Sequence, residues 1–334
     1  MPATIRDIRR MTGLSLATIS KYLNGGNVLP ENRIRIEKAI DELGYEVNEI
    51  ARWLATRKTK TIGVIVYDIQ SLFNSTLLSY ISESLRAAGY GLLICDSADH
   101  AEQEGKNIRF LLSKKVDGIL LIPVNGEEHD LSPAAEAGIP VVLLDRPVKG
   151  RPCVKIDNIS AAGSAIELLF ENDHSEIAII GSNGEYTGRK RCEGYAKAMS
   201  SRGYSLNDLY RKIETGNASI QFGYESMKQL LGLKEKPTAV FMTNYEITLG
   251  AVMAVNESSV RCPEDISLLG FDNLILSQIV KPKMTMVVQP MKAMGEKAVE
   301  VLLDAMDPAE GFAGSEEINL PTRIEVGNSI KKLD

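Results

Sequence analysis

The sequence predicts a small all-α head followed by an α/β core of two doubly wound parallel-sheet lobes. Three observations point there. The first 45 residues carry helical periodicity broken by turn-forming residues, the charge changes sign near residue 60, and beyond it short apolar runs alternate with helical stretches. At 334 residues the chain has room for two or three domains of about 150 residues. Its composition, 44% hydrophobic and 25% charged with 27 Gly and 13 Pro, excludes a disordered, collagen-like or coiled-coil chain.

The head reads as three short helices. Thr4 is a candidate N-cap with Asp7 as capping-box partner, and Ile5, Ile8 and Met11 fall on one face. Gly13 makes a turn, and Ser15 caps a second helix in which Leu16, Ile19, Tyr22 and Leu23 repeat at helical spacing. Asn24-Gly25-Gly26-Asn27 stops it. Pro30 opens a third helix with Ile34, Ile36, Ala39, Ile40 and Leu43 as its expected buried stripe, and Gly44 ends it. Two short helices across a Gly-bearing turn, braced by a third, form a helix-turn-helix arrangement. Thr18, Ser20, Lys21 and Asn24 place hydrogen-bonding groups on the outward side of the second helix, suited to phosphates and base edges.

In the body, strands are expected at 61–66, 91–95, 118–122, 140–144, 177–181, 239–242 and 266–270. Helices are expected at 74–88, 101–114, 158–171, 188–201, 221–231, 247–257 and 291–306. Continuous apolar strands separated by crossover helices imply parallel sheets buried on both faces. That many repeats exceed one compact sheet, so two lobes with a cleft between them are expected, with ligands at the carboxyl ends of the strands.

Charge supports the division. Residues 1–60 hold 11 cations against seven anions, a net +4, whereas the whole chain is −6 and the remainder therefore −10. A basic head on an acidic body suggests a polyanion-binding module joined to a soluble domain. The opening MPATIRDIRRM has no apolar signal region, and no run of about 18 apolar residues occurs, so a cytoplasmic protein with no membrane partner is expected. Cys95, Cys153, Cys192 and Cys262 lie far apart and read as free thiols. His100, His129 and His174 form no metal-ligand pattern, and no cofactor is expected. No G-x-S-x-G, glycine phosphate loop or paired His and carboxylate suggests an enzyme.

TIRDIRRMTGLSLATISKYLNG, followed by RIEKAIDELGYEVNEIARWLATRKTKTIGVIV, closely resembles the amino-terminal region of the LacI family of bacterial transcription regulators. The resemblance extends into the body, which looks like a periplasmic sugar-binding protein. It implies a helix-turn-helix domain at 1–45, a hinge helix at 46–59 and an effector-binding and dimerisation core at 60–334. In that core the first lobe covers about 60–160 and 290–322, and the second about 161–289. Thr4 and Ser15 would hold phosphates, and Leu16, Ala17, Ser20 and Lys21 would face the major groove. Leu16 and Ala17 can offer only apolar contact, and Lys21 replaces the usual Arg with a point charge. In the hinge, Leu54 matches a leucine that wedges between base pairs, and Asn48 and Ala51 match neighbouring contacts. Trp53 beside it either packs against its twin in a dimer or lies on the DNA.

Polar residues past the strand ends are the effector candidates: Asp68, Phe73, Arg146, Arg191, Asn244, Asp272 and Gln289. An aromatic such as Phe73 can stack on a sugar ring, and an Arg–Asp pair can take adjacent hydroxyls. Tyr245 and Asn74 replace a common Asp and a common second aromatic of the family, so the effector could be larger, phosphorylated or not a simple sugar. Phosphate would favour Arg146 and Arg191. The implied function is an effector-responsive regulator, most readily a repressor of carbohydrate-use genes, that binds a palindromic operator as a homodimer. The alternative is a catabolite-control-type global regulator whose co-effector is a phosphorylated carrier protein.

Overall fold

A computed structural model describes residues 3–23, 25–45, 58–126, 130–205, 211–214, 219–272, 279–307 and 316–333. The head has three helices, α1 (Ile5–Thr12), α2 (Leu16–Leu23) and α3 (Pro30–Leu43). Their junction is a small core of Ile8, Ile19, Ile36 and Ala39, each at most 1% exposed. Gly13 closes α1 at φ 67°, a left-handed conformation that costs a residue without Cβ nothing.

Two expectations for this core fail. Met11 is 47% exposed, and its place is taken by Thr12, which stacks one turn beyond Ile8 and donates its hydroxyl to the Ile8 carbonyl at 2.8 Å. Ile34 is 66% exposed because residues two apart point to opposite sides of a helix, and Ile36 holds the buried side.

The body contains β1 (Thr61–Val66), α4 (Leu72–Ala87), β2 (Gly91–Asp96), α5 (Ala101–Ser113), β3 (Gly118–Leu121), α6 (Ser132–Glu136), β4 (Val141–Leu144) and β5 (Cys153–Ile156). There follow α7 (Asn158–Glu171), β6 (Ile177–Ser182), α8 (Tyr186–Ser201), β7 (Arg211–Glu214), α9 (Ile220–Leu231), β8 (Ala239–Met242) and α10 (Tyr245–Asn256). The last elements are β9 (Ser267–Phe271), β10 (Thr285–Val288), α11 (Met291–Ala305), β11 (Glu317–Leu320) and β12 (Arg323–Glu325). The expected helices fall within two residues of α4, α5 and α7 to α11, and α7 spans the residues the periodicity gives it.

The strands form two six-stranded sheets, ordered β11-β5-β4-β3-β1-β2 and β12-β10-β9-β8-β6-β7. The first is parallel throughout; the second is parallel except where β12 runs antiparallel to β10. Interior strands such as GILL, VVLL and AVFM are buried along their whole length between helix layers. Helices α4 and α11 pack together on the first sheet, α7 and α8 on one side of the second, and α9 and α10 on the other. The last pair crosses backbone to backbone: a Cβ built on Gly250 would lie 1.9 Å from the Ile220 carbonyl oxygen, and one on Gly223 2.4 Å from that of Ile247.

The chain passes between the sheets three times. It leaves the first after β5, with Asp157 capping α7 by accepting from the Ile159 and Ser160 amides. It returns after β10 into α11, and it leaves again between β11 and β12, a passage the sequence reading did not contain. Beyond β12, Ser329 ties the chain into the second sheet. Its Oγ accepts from the Thr285 amide at 2.8 Å and donates to the Leu268 carbonyl at 2.6 Å. Five strands, β5, β7, β10, β11 and β12, and the short α6 were not anticipated.

Candidate functional site: a helical head and an inter-lobe cleft

In the head, Thr4 sends both its amide and its hydroxyl to Asp7 Oδ2, at 2.9 and 2.7 Å. Those bonds hold the Asp7 carboxyl below the usual range, Thr4's hydroxyl first among the causes. Ser15 Oγ caps α2, accepting from the Thr18 amide at 3.1 Å and lying 2.8 Å from the Thr18 hydroxyl. Arg35 reaches from α3 to the Thr12 carbonyl and so locks the end of α1 to the brace. Tyr22 donates to Glu37 at 2.8 Å, and Glu37 also takes Arg33 at 2.8 Å.

With Ile19 fixed in the core, the opposite side of α2 faces outward. Leu16, Ala17 and Lys21 are exposed on it, and Thr18 and Ser20 are half-buried at its margins. Thr4 and Ser15 stand at two helix N-termini, where unpaired amides and the helix dipole favour anions. Arg6, Arg9 and Lys21 are exposed and make no ion pair with a described residue. The candidates Asn24, Asn48, Ala51 and Leu54, like Trp53, lie outside the described residues.

The cleft is built from strand ends of both sheets. Phe73, Arg191, Asn244, Asp272 and Gln289 line one cavity, together with Tyr67, Ser71, Asp145, Glu185, Thr187 and Glu246. Asp145 and Asp272 stand just past β4 and β9 at φ 66° and 71°, conformations that a side chain adopts at a cost of about 1–3 kcal/mol and that cluster at functional sites. Arg191 sends Nε to Asn158 Oδ1 and Nη1 to the Thr243 carbonyl, both at 2.8 Å. It lies 3.7 Å from Asp272 Oδ2 and from the Phe271 ring centre. Gln289 donates to Asp272 Oδ1 at 2.5 Å. Asn244 Oδ1 caps α10 through the Ile247 amide, at 2.9 Å.

Three readings change. Asp68 does not line the cavity: its carboxylate turns back to the Gln70 amide at 2.8 Å, closing its own loop. Arg146 lies behind the wall, 2% exposed, pairing with Glu185 of the other lobe and donating to the Pro123 and Val124 carbonyls, with Tyr67 4.1 Å from its guanidinium. Of the two arginines that would favour a phosphate, Arg191 lines the cavity and Arg146 does not. Asn74 is fully buried and serves the loop, donating to the Asp68 carbonyl at 2.6 Å.

Burial pushes Asp145 up to about 6 against the pull of Arg146 and Arg191, and pushes Glu246 up to about 7. Asp272 is raised by the same cause, opposed by Arg191 and Gln289. The space left within the wall is about 30 Å³, room for about two waters, and Arg146 and Glu185 bridge the lobes beside it. Of the wall residues missed, Asp145 follows an apolar strand and was within reach of the strand-end rule. Glu185 and Glu246 open helices, where an acid is unremarkable.

Residues 4–48 match the model described as bacterial regulatory proteins, lacI family, and residues 166–330 match the periplasmic binding protein-like domain. The chain is 33% identical to Catabolite control protein A of Priestia megaterium over 99% of its own length and all of the relative's. The chain belongs to the lacI family. Its fold is shared with the lac repressor dimer bound to operator and the anti-inducer ONPF (23% identity, TM-score 0.87, covering 99% of this chain and 100% of that one). A CelR–cellobiose complex is 26% identical at TM-score 0.71, covering 98% and 99%. As a member of this family the chain is an effector-responsive, DNA-binding transcription regulator and not an enzyme. No described helix is long and apolar enough to cross a membrane.

Proposed function

We propose that the chain represses carbohydrate-use genes by gripping a palindromic operator as a homodimer, and that a sugar or sugar derivative in the cleft sets its hold. The carrying observation is the convergence of Phe73, Arg191, Asn244, Asp272 and Gln289 from two lobes on one cavity. The polar character of that wall and the likeness to a regulator solved with cellobiose support a polyhydroxylated effector. On the DNA side, Leu16 and Ala17 give apolar contacts, Lys21, Thr4 and Ser15 meet phosphate or base edges, and the hinge at 46–59 supplies Asn48, Ala51 and Leu54. The effector acts by differential affinity for open and closed lobes, which changes the spacing of two hinges in a dimer.

Asp272→Ala tests the cleft, because it removes a carboxylate that holds Gln289 and faces Arg191. The operator complex of this variant is expected to lose its response to effector; a normal response overturns the assignment. A second reading is favoured by the full-length similarity to Catabolite control protein A: a phosphorylated carrier protein as co-effector. Retention of the chain on the phosphorylated but not the unphosphorylated carrier would replace the first reading.

A further inference from the structure

The cavity wall holds four carboxylates, Asp145, Glu185, Glu246 and Asp272, against the guanidinium of Arg191, with that of Arg146 behind it. Most of the guanidinium donors are engaged, and the exception, Arg146 Nε, is buried without a hydrogen-bond partner 3.8 Å from Asp145 Oδ2. Arg146 is held by Glu185 and two carbonyls, and Arg191 by Asn158, the Thr243 carbonyl and Asp272. Asp145 and Glu246 are the surplus. Asp145 is 3% exposed; its Oδ2 lies 3.8 Å from Arg146 Nε, and its Oδ1 is buried with no hydrogen-bond partner. Gln289, 4% exposed, also keeps a buried and unpartnered acceptor, Oε1. Glu246 makes no ion pair with a described residue. Buried acceptors without donors are expensive, so these atoms specify a ligand that brings donors and positive charge.

We propose that the cleft recognises a polyhydroxylated ligand bearing a protonated amine, whose ammonium pairs with Asp145 and Glu246, and that it rejects phosphorylated analogues. This rests on the cleft being the effector site. A metal ion is the other cation to consider, but among the described residues no three His, Cys, Asp or Glu side chains are placed to hold one. An ammonium on a polyol matches the wall better: three donors meet carboxylates, and hydroxyls meet Gln289 and Asp272. The titration of the wall agrees. Asp145 faces Arg146, Arg191, Glu185 and Asp272, Glu246 faces Asp272, Glu185 and Arg191, and burial raises both acids towards neutrality. An ammonium must therefore displace protons from them, so its binding strengthens as pH rises from about 6 to about 7 and weakens again above about 8, where the amine itself loses its proton.

The test is calorimetry and thermal shift on the full chain with glucose, galactose and mannose, each as the parent, the 2-amino-2-deoxy analogue and the 6-phosphate. In at least one set the amine is expected to bind about tenfold tighter than its parent, with the phosphate weakest. The preference is expected to shrink below about pH 6 and to vanish in Asp145→Asn and, separately, in Glu246→Gln. A phosphate or parent that outbinds the amine in every set, no binding by any amine, or a preference that survives both substitutions overturns the proposal. Parent or phosphate binding that Asp272→Ala abolishes refutes the amine and leaves the cleft standing. Binding that Asp272→Ala leaves untouched refutes both.

Discussion

Glu185→Gln is the sharpest probe of how the lobes stay together. Arg146 makes its other contacts within its own lobe, with the Pro123 and Val124 carbonyls, Asp145 and the Tyr67 ring. Its bond to Glu185, which opens the first helix after β6, is the one that crosses the cleft. Glutamine keeps an acceptor of the same length but removes the charge. Glu185 also makes no side-chain cap to α8, so the helix loses nothing. With glutamine the Arg146 guanidinium still donates, but to a neutral carbonyl in place of a carboxylate, so the substitution withdraws the charge–charge part of the bond, about 1–2 kcal/mol, from the closed arrangement. That is roughly a 5–30-fold shift of the closed-to-open ratio. Spin labels at exposed Lys149 and Lys234, one in each lobe, would report it as a new long-distance population in pulsed resonance, and effector would restore the short one. An unchanged distance distribution in the absence of effector would show that the pair does not hold the lobes, and the reasoning would fail.

Three further outcomes follow from other parts of the molecule. Ile36→Ala empties a fully buried position in a head core of four buried residues, at about 2–5 kcal/mol. At roughly 0.05–0.15 kcal/mol per residue the head has little more than that to lose, so operator affinity by anisotropy should collapse while the core's calorimetric transition stays. Gly250→Ala places a methyl against the Ile220 backbone, and a cost of at least about 1–3 kcal/mol should appear as a lowered Tm; an unchanged Tm would contradict the helix crossing. Asp145 is raised in the folded chain, so its protonated form is the stabilised one. Its contribution is present below about pH 4 and is lost as pH rises through about 6. Asp145→Asn should therefore match the parent near pH 4 and exceed its stability at pH 8 by up to about 3 kcal/mol; parallel stability curves would refute the assignment.

Most strands that periodicity finds are buried on both faces; the edge strand β2, GLLICD, is found on its apolar run although it is part-exposed. TIGVIV, GILL, VVLL and AVFM have no polar residue to interrupt them, because helices cover each side. The missed ones mostly meet water or carry charge. Lys155 breaks the apolar run of β5 and reaches Glu317 of the edge strand β11 at 3.1 Å, a pairing visible only once the strands are neighbours. β11 itself reads EINL and β12 RIE, edge sequences with little apolar signal. The cleft shows the same limit. Strand-end logic reached Phe73, Asp272 and Gln289, whose positions along the chain define them. It placed Arg146 in the wall, although the side chain turns away to cross-brace the lobes, because a guanidinium's direction depends on carbonyls 22 and 23 residues earlier. Glu246 was passed over because an acid in the first turn of a helix is unremarkable.

Neither lobe is a continuous stretch of chain, and that governs how the protein is made. The first sheet lacks its β11 edge and its α11 cover until residue 320 has been translated, and the second waits for β12 and for Ser329. The three-helix head, by contrast, has all its parts within the first 45 residues and emerges from the ribosome long before either sheet can close. A nascent or prematurely terminated product would thus display a finished duplex-reading module on an unfinished body. Whatever couples two such modules arrives last, so an unregulated fragment has no means of clamping an operator in pairs.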